Sequence, residues 1–221
     1  MTTIFVTSSG TGIGKTFVTL RLIAELKALG KRVQALKPVA SEFDAARPGD
    51  GDTGALLRAL ELVPTAASLD AVSPWRFAAP LSPDMAAARE RRTVPFDALV
   101  AFCRASAGRG GVTLIEGIGG VMVPLDAEHT VLDWIAALEA PALLVVGSYL
   151  GTLSHTLTAA AALRERRVTI AGVVVSESEV EPVPAEETAA TLARFVAPVA
   201  VRLLPRAAPV PLLPLVASYL G

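Results

Sequence analysis

The sequence predicts an α/β fold, a doubly wound, mostly parallel sheet with helices on both faces. Three observations point there. Short blocks rich in Val, Ile and Leu alternate with longer helical patterns along the chain. Most of the short blocks lack in/out alternation, as expected when helices cover both faces of a parallel sheet. The unusual residues fall at the carboxyl ends of these blocks, the edge where such sheets bind ligands.

The first strand is read at Ile4–Ser8, followed by a glycine-rich turn and a helix over Thr16–Leu29, with Gly30 placed as a C′ glycine. The second strand, Val33–Val39, ends around Lys37-Pro38, with Ser41 close behind. Asp44–Gly51 reads as a mobile surface loop, and helices follow at Thr53–Leu62, Asp84–Arg92 and Phe96–Ala107. Val112–Glu116 is the third strand; a helix over Val131–Leu138 leads to the fourth, Ala142–Gly147. Gly151–His155 then opens a helix over Ser154–Arg166. Ile170–Ser176 is the fifth strand, Ala185–Phe195 the last helix and Val199–Leu204 the last strand. With no repeat or linker in view, residues 1–221 are read as one domain.

Composition excludes several classes. A hydrophobic fraction of 52% and a mean hydropathy of +0.52 argue against disorder. Twenty Lys+Arg against 21 Asp+Glu, with no basic tail, do not describe a general nucleic-acid binder. A single cysteine, Cys103, excludes an internal disulfide and fits a reducing cytoplasm. With only His129 and His155, neither a histidine zinc site nor a hydrolase triad is expected. The uncharged run Ala140–Leu163 is interrupted by Pro141, Gly147 and Gly151, so it reads as a strand followed by a helix rather than a membrane span. Pro209, Pro211 and Pro214 break the other uncharged stretch, Ala207–Gly221. The first residues carry no basic segment of a signal peptide, and a cytoplasmic, soluble protein is expected.

The segment Ser8-Ser9-Gly10-Thr11-Gly12-Ile13-Gly14-Lys15-Thr16 joins a strand to a helix. Glycines there let backbone N–H groups turn toward an anion, and the helix N-terminus adds its positive end. Lys15 is placed to reach the β- and γ-phosphates and the Thr16 hydroxyl to bind Mg²⁺, which makes this a P-loop. The strict pattern has glycine where Ser9 stands. Only Lys15, Lys27, Lys31 and Lys37 are lysines among the 20 basic residues, so lysine at the loop and at the second strand end is selective. A compact ammonium serves there where a planar fork would not. Glu116, at the end of an apolar strand and before Gly117-Ile118-Gly119-Gly120, stands where a metal-binding carboxylate belongs. Asp52 reads either as an N-cap for the helix near Thr53 or as a second carboxylate. Cys103, Trp75 and Trp134 read as packing residues. His155 reads as structural, in a helix start whose free N–H groups could hold a carboxylate.

Taken together, Thr11 with Gly14-Lys15-Thr16, the block Lys37-Pro38-Val39-Ala40-Ser41, and Glu116-Gly117-Ile118-Gly119-Gly120 with Val123-Pro124-Leu125 resemble the dethiobiotin synthetase family. Leu144-Val145-Val146-Gly147, Leu150-Gly151-Thr152, His155 and Ala171-Gly172 extend the resemblance over nearly the whole chain. It implies a P-loop enzyme that uses ATP, Mg²⁺ and CO₂ to close a ureido ring on 7,8-diaminononanoate. It implies Lys15, Lys37 and Thr11 as catalytic residues and Ser41 as a substrate contact. Gly12, Ile13, Gly14, Lys15, Thr16, Asp52, Glu116, Gly117, Ile118, Gly119, Ser176 and Pro205 are implied on the nucleotide side. Thr16, Asp52 and Glu116 are implied as metal ligands. It further implies a homodimer with the site at the subunit interface, where Gly151, Thr152, Leu153 and Ser154 of the partner chain hold the substrate carboxylate.

Three positions depart from the family. Ser8 stands where the first loop glycine is usual, Gly12 where an acidic residue is common, and Ser176 where an asparagine reads the adenine amino group. The last departure leaves one hydrogen bond for base selection, so another triphosphate is expected to compete. Two rival readings fit the residues less well. A deviant-Walker positioning ATPase carries an extra lysine early in the loop, and Ser8–Thr11 has none. An amidotransferase-linked synthetase needs a glutaminase domain, for which 221 residues are expected to leave no room.

Overall fold

In the computed structural model the strands are β1 (Thr2–Ser8), β2 (Val33–Leu36), β3 (Val39–Ala40), β4 (Trp75–Arg76), β5 (Val112–Glu116), β6 (Ala142–Gly147), β7 (Ile170–Ser176) and β8 (Val201–Leu204). The helices are α1 (Lys15–Ala28), α2 (Gly51–Ala59), α3 (Ala66–Val72), α4 (Pro83–Arg89), α5 (Phe96–Ala107), α6 (Val131–Leu138), α7 (Thr152–Glu165) and α8 (Ala185–Val196). The structure describes residues 2–107, 110–208 and 210–220. Met1, Gly108, Arg109, Pro209 and Gly221 lie outside the described residues, and with them the reading of Pro209 as a helix breaker.

Six strands make one parallel sheet in the order β2-β5-β1-β6-β7-β8. The chain crosses from β5 to β6 on opposite sides of β1, so the end of β1 marks the switch point where such sheets open a ligand crevice. Neighbouring residues of one strand serve two cores. Ile4, Val6, Leu114, Leu143 and Val145 pack on α1 and α2 through Val18, Leu22, Leu56 and Leu57. Phe5, Ile115, Leu144 and Val146 pack on Leu99, Trp134, Ile135 and Leu163 from α5, α6 and α7. This double burial is why the strands show no polar alternation. Among the described residues no helix is long and apolar enough to cross a membrane.

The structure corrects several boundaries. The second strand was expected to run from Val33 to Val39, but the main ladder ends at Leu36. Val39–Ala40 instead pairs in parallel with Trp75–Arg76 in a separate two-stranded ladder, because Pro38 has no N–H with which to continue the first. The helix expected from Thr53 begins at Gly51, so Asp52 lies in its first turn and Asp50 holds the N-cap position. Pro83 starts α4, and it ends at Arg89 rather than Arg92; Arg91 turns left-handed, φ 54°. The last strand begins at Val201 rather than Val199, and α7 starts at Thr152, two residues early. Sequence reading missed α3 and β4 altogether.

Phe5 and Trp134 meet edge to face at 4.8 Å and are both fully buried at the centre of one core. Phe5→Ala is expected to cost about 3–5 kcal/mol, read as a lower urea midpoint at unchanged slope.

Candidate active site

The chain leaves β1 directly into the glycine-rich turn, whose Gly12 and Gly14 take φ of 70° and 92°. Gly14 is also the N-cap of α1, and a Cβ there would sit 2.8 Å from Ser176 Oγ. Only glycine satisfies both the left-handed backbone and that approach. The next residue, Lys15, is 7% exposed. Its ammonium donates to Ser8 Oγ at 3.0 Å, to the Gly119 carbonyl at 2.9 Å and, at 3.5 Å, to the Gly10 carbonyl. Burial, then the nearby Lys37 charge, pull its pKa down to about 8.

Lys37 lies at the other end of the same crevice, 4% exposed. Its Nζ donates to Glu116 Oε1 at 2.6 Å, Asp52 Oδ2 at 2.8 Å and the Gly117 carbonyl at 3.3 Å. Burial disfavours this ammonium, but Glu116 and then Asp52 outweigh it and hold the pKa above the ordinary lysine value. Burial likewise pushes the Asp52 carboxyl up, and Lys37 more than offsets it, leaving that carboxyl below the usual range. Glu116 is fully buried at the end of β5, where Oε1 also accepts the Thr16 hydroxyl at 2.7 Å. Its second oxygen, Oε2, is buried with no partner among the described residues. An orphaned carboxylate oxygen beside a hydroxyl and a half-exposed carboxylate is a hard-oxygen donor set that suits Mg²⁺. Charge gives the same answer. Two ammoniums, Lys15 and Lys37, against two carboxylates, Asp52 and Glu116, sum to zero, so a polyphosphate finds no net positive charge here without a cation.

Three cavities meet around the turn. The smallest, about 290 Å³, holds Thr11, Thr16, Lys37, Ser41, Asp52 and Gly119 on its wall, together with Gly12–Lys15 and Ile118. A second, about 590 Å³, lies beside Gly12–Gly14 and is walled by Phe17, Ser176, Glu177, Leu204 and Arg206. Pro205 stands between two of those residues. The largest, about 810 Å³, shares Thr11 and Gly12 with the first and reaches Met122, Val123, Tyr149 and His155. The structure therefore brings together Thr11, the loop, Lys37, Ser41, Asp52 and Glu116–Gly119, with Ser176 on the adjoining wall.

Gly151, Thr152, Leu153 and Ser154 line none of the three. The Thr152 hydroxyl donates to the Gly147 carbonyl at 2.7 Å and its N–H to the Tyr149 carbonyl, while His155 N–H returns to Gly151. That leaves the amides of Leu153 and Ser154 as the two in the first turn of α7 without a backbone acceptor among the described residues. Leu150, Leu153 and Ser154 are exposed.

Sequence reading missed Tyr149, whose hydroxyl meets His155 Nδ1 at 2.9 Å in the large cavity, and Arg206 in the second. An aromatic two residues after the fourth strand and a basic residue directly after Pro205 were the available signals. The anchoring of Lys15 by Ser8 had no such signal, because the sequence does not say which hydroxyl of Thr7, Ser8 and Ser9 faces the loop.

A family model described as "AAA domain" matches residues 2–218. Proteins named ATP-dependent dethiobiotin synthetase BioD are similar over most of their length. That of Acidiphilium cryptum is 50% identical, with 88% of each chain covered. That of Methylobacterium nodulans is 49% identical, covering 88% of this chain and 89% of that one. The Caulobacter sp. (strain K31) protein is 46% identical over 93% of this chain and 89% of its own. With the loop, the Lys37 cluster and this extent of identity in agreement, the chain belongs to the dethiobiotin synthetase family.

Proposed function

We propose that this chain is an ATP-dependent dethiobiotin synthetase that acts on 7,8-diaminononanoate and CO₂ with Mg²⁺, as one domain over residues 1–221 and as a cytoplasmic homodimer. The observation that carries the reading is the pair of buried ammoniums, Lys15 and Lys37, in a cavity that shares the Thr11 wall with a larger one. The reaction needs that pair. One substrate amine adds to CO₂ and loses a proton, giving an anionic carbamate. A carbamate oxygen attacks the γ-phosphorus, ADP leaves, and the product is a mixed carbamic–phosphoric anhydride. The second amine attacks the carbamoyl carbon, closes the ring and expels phosphate. Two anions must meet in the phosphoryl transfer, so fixed cations beside the transferring group supply most of the acceleration.

Lys15 faces the phosphate side and Lys37 the carbamate side of that encounter. Thr11 and Ser41 direct hydrogen bonds to the amines and the carbamate, and the amides of Gly12–Thr16 and Gly117–Gly119 line the phosphates. Ser176 and Pro205 stand by the base. Thr16, Asp52 and Glu116 are the residues that hold Mg²⁺, which when bound offsets phosphate charge. Leu153 and Ser154 of the partner subunit, with Gly151 and Thr152 of the partner subunit shaping the turn, present their amides to the substrate carboxylate at a positive helix end. The buried, lone Cys103 suits a reducing compartment.

Purified protein is expected to form ADP and dethiobiotin only when diamine and bicarbonate are both present. Turnover indifferent to the diamine would instead describe a regulatory ATPase. Run with ATP and CTP side by side, the assay is expected to show CTP competing, since Ser176 offers the base a single hydroxyl. Lys37→Ala and Glu116→Gln are each expected to lower the rate at least about 100-fold. Chelation with EDTA should abolish ADP formation and added Mg²⁺ restore it.

A further inference from the structure

Three hydroxyls stand in succession where β1 runs into the loop, and they are not equivalent. Thr7 Oγ1 and Ser9 Oγ are buried with no partner among the described residues. Ser8, fully buried between them, has three: its Oγ lies 2.6 Å from the Gly10 carbonyl oxygen, 2.9 Å from that of Gly119 and 3.0 Å from Lys15 Nζ. A hydroxyl has one proton and two lone pairs, so Ser8 donates to one of the carbonyls and accepts from the ammonium. The Gly119 carbonyl also accepts from Lys15, at 2.9 Å, so ammonium, hydroxyl and the loop after β5 close a ring.

We propose that Ser8 is a positioning residue for Lys15, fixing the ammonium between the phosphate loop and the Gly119 loop before nucleotide arrives. This rests on the reading of Lys15 as the phosphate-side cation. A free lysine side chain samples many rotamers, and a polar anchor at its tip removes part of that freedom in advance. The β1–β6 ladder uses only the Ser8 main chain, so the hydroxyl itself adds nothing to the sheet.

Two variants separate positioning from folding. Ser8→Ala removes the oxygen but keeps Cβ, which leaves too little space for a water. Ser8→Gly removes both, and a water placed there finds three polar partners, Gly10 O, Gly119 O and Lys15 Nζ. Positioning therefore predicts that Ser8→Ala lowers kcat about 10-fold, with the KM for ATP changed less than about 3-fold. Ser8→Gly should keep more of kcat than Ser8→Ala, although glycine in a strand is the less stable of the two. A purely structural Ser8 gives the opposite order, with activity following the unfolding midpoint. Wild-type kcat in Ser8→Ala, or a greater loss in Ser8→Gly, overturns the proposal. Those results leave diamine-dependent turnover of the wild type intact, so the two readings fail separately. Should the wild type show no such turnover, the Lys15 ammonium resonance decides. Protection from solvent exchange in the wild type and its loss in Ser8→Ala support the anchor, and identical spectra overturn it.

Discussion

A positive charge that has lost nearly all its water governs the carboxyl edge of this sheet. Burial at 4% exposure disfavours the Lys37 ammonium, and Glu116 and Asp52, which touch it at 2.6 and 2.8 Å, more than offset that and hold its pKa above the ordinary lysine value. Much of the surrounding chain serves to hold that arrangement. The Lys37 N–H is accepted by the Val72 carbonyl at the end of α3, and Trp75 and Phe77 donate to the carbonyls of Pro38 and Ala40. The short α3–β4 segment thus tracks the Lys37–Ala40 backbone residue by residue. Asp52 is brought in by α2, where Gly54 lies against Gly49 so closely that a Cβ would stand 1.9 Å from its carbonyl oxygen. The Thr53 and Ser73 hydroxyls, 2.9 Å apart, tie α2 to the turn after α3.

That dependence explains where sequence reading worked and where it stopped. The parallel sheet was legible because burial on two faces leaves an unmistakable uniform apolar block, as in Ala142–Gly147, where every residue is buried. The loop was legible because glycine and lysine in strand–turn–helix order have few other uses. Asp52 was ambiguous because Asp50, Gly51 and Asp52 all suit a helix start, and spacing alone does not choose the cap. The helix α3 escaped because Ala66–Val72 has little amphipathic signal; its mark is the Thr65–Ser68 capping box, a local hydrogen-bond pattern. The second strand was expected to run through Pro38 to Val39, and the segment that instead leaves the sheet there to pair with Trp75–Arg76 needed a partner the sequence reading had not found.

The charge pattern also accounts for the choice of lysine. Arginine supplies 16 of the 20 basic residues, yet the buried cations among the described residues, Lys15 and Lys37, are lysines. A guanidinium stays protonated in almost any setting and presents a rigid fork. An ammonium is a point charge that accepts partners in any direction and whose basicity follows its surroundings. The two lysines use that freedom oppositely. Burial weighs on both ammoniums: at Lys37 two carboxylates outweigh it and hold the pKa above its ordinary value, whereas at Lys15 burial and then the Lys37 charge pull it down to about 8.

Two serines bear on the same few ångströms of backbone. Ser176 brings its hydroxyl against Gly14 on one side of the loop, and Ser8 brings its own against Lys15 on the other. Each is a small side chain at the end of a strand. The two hydroxyls therefore flank the loop from the ends of β1 and β7, one bonded to the Lys15 ammonium and the other filling the space that a Cβ at Gly14 would need.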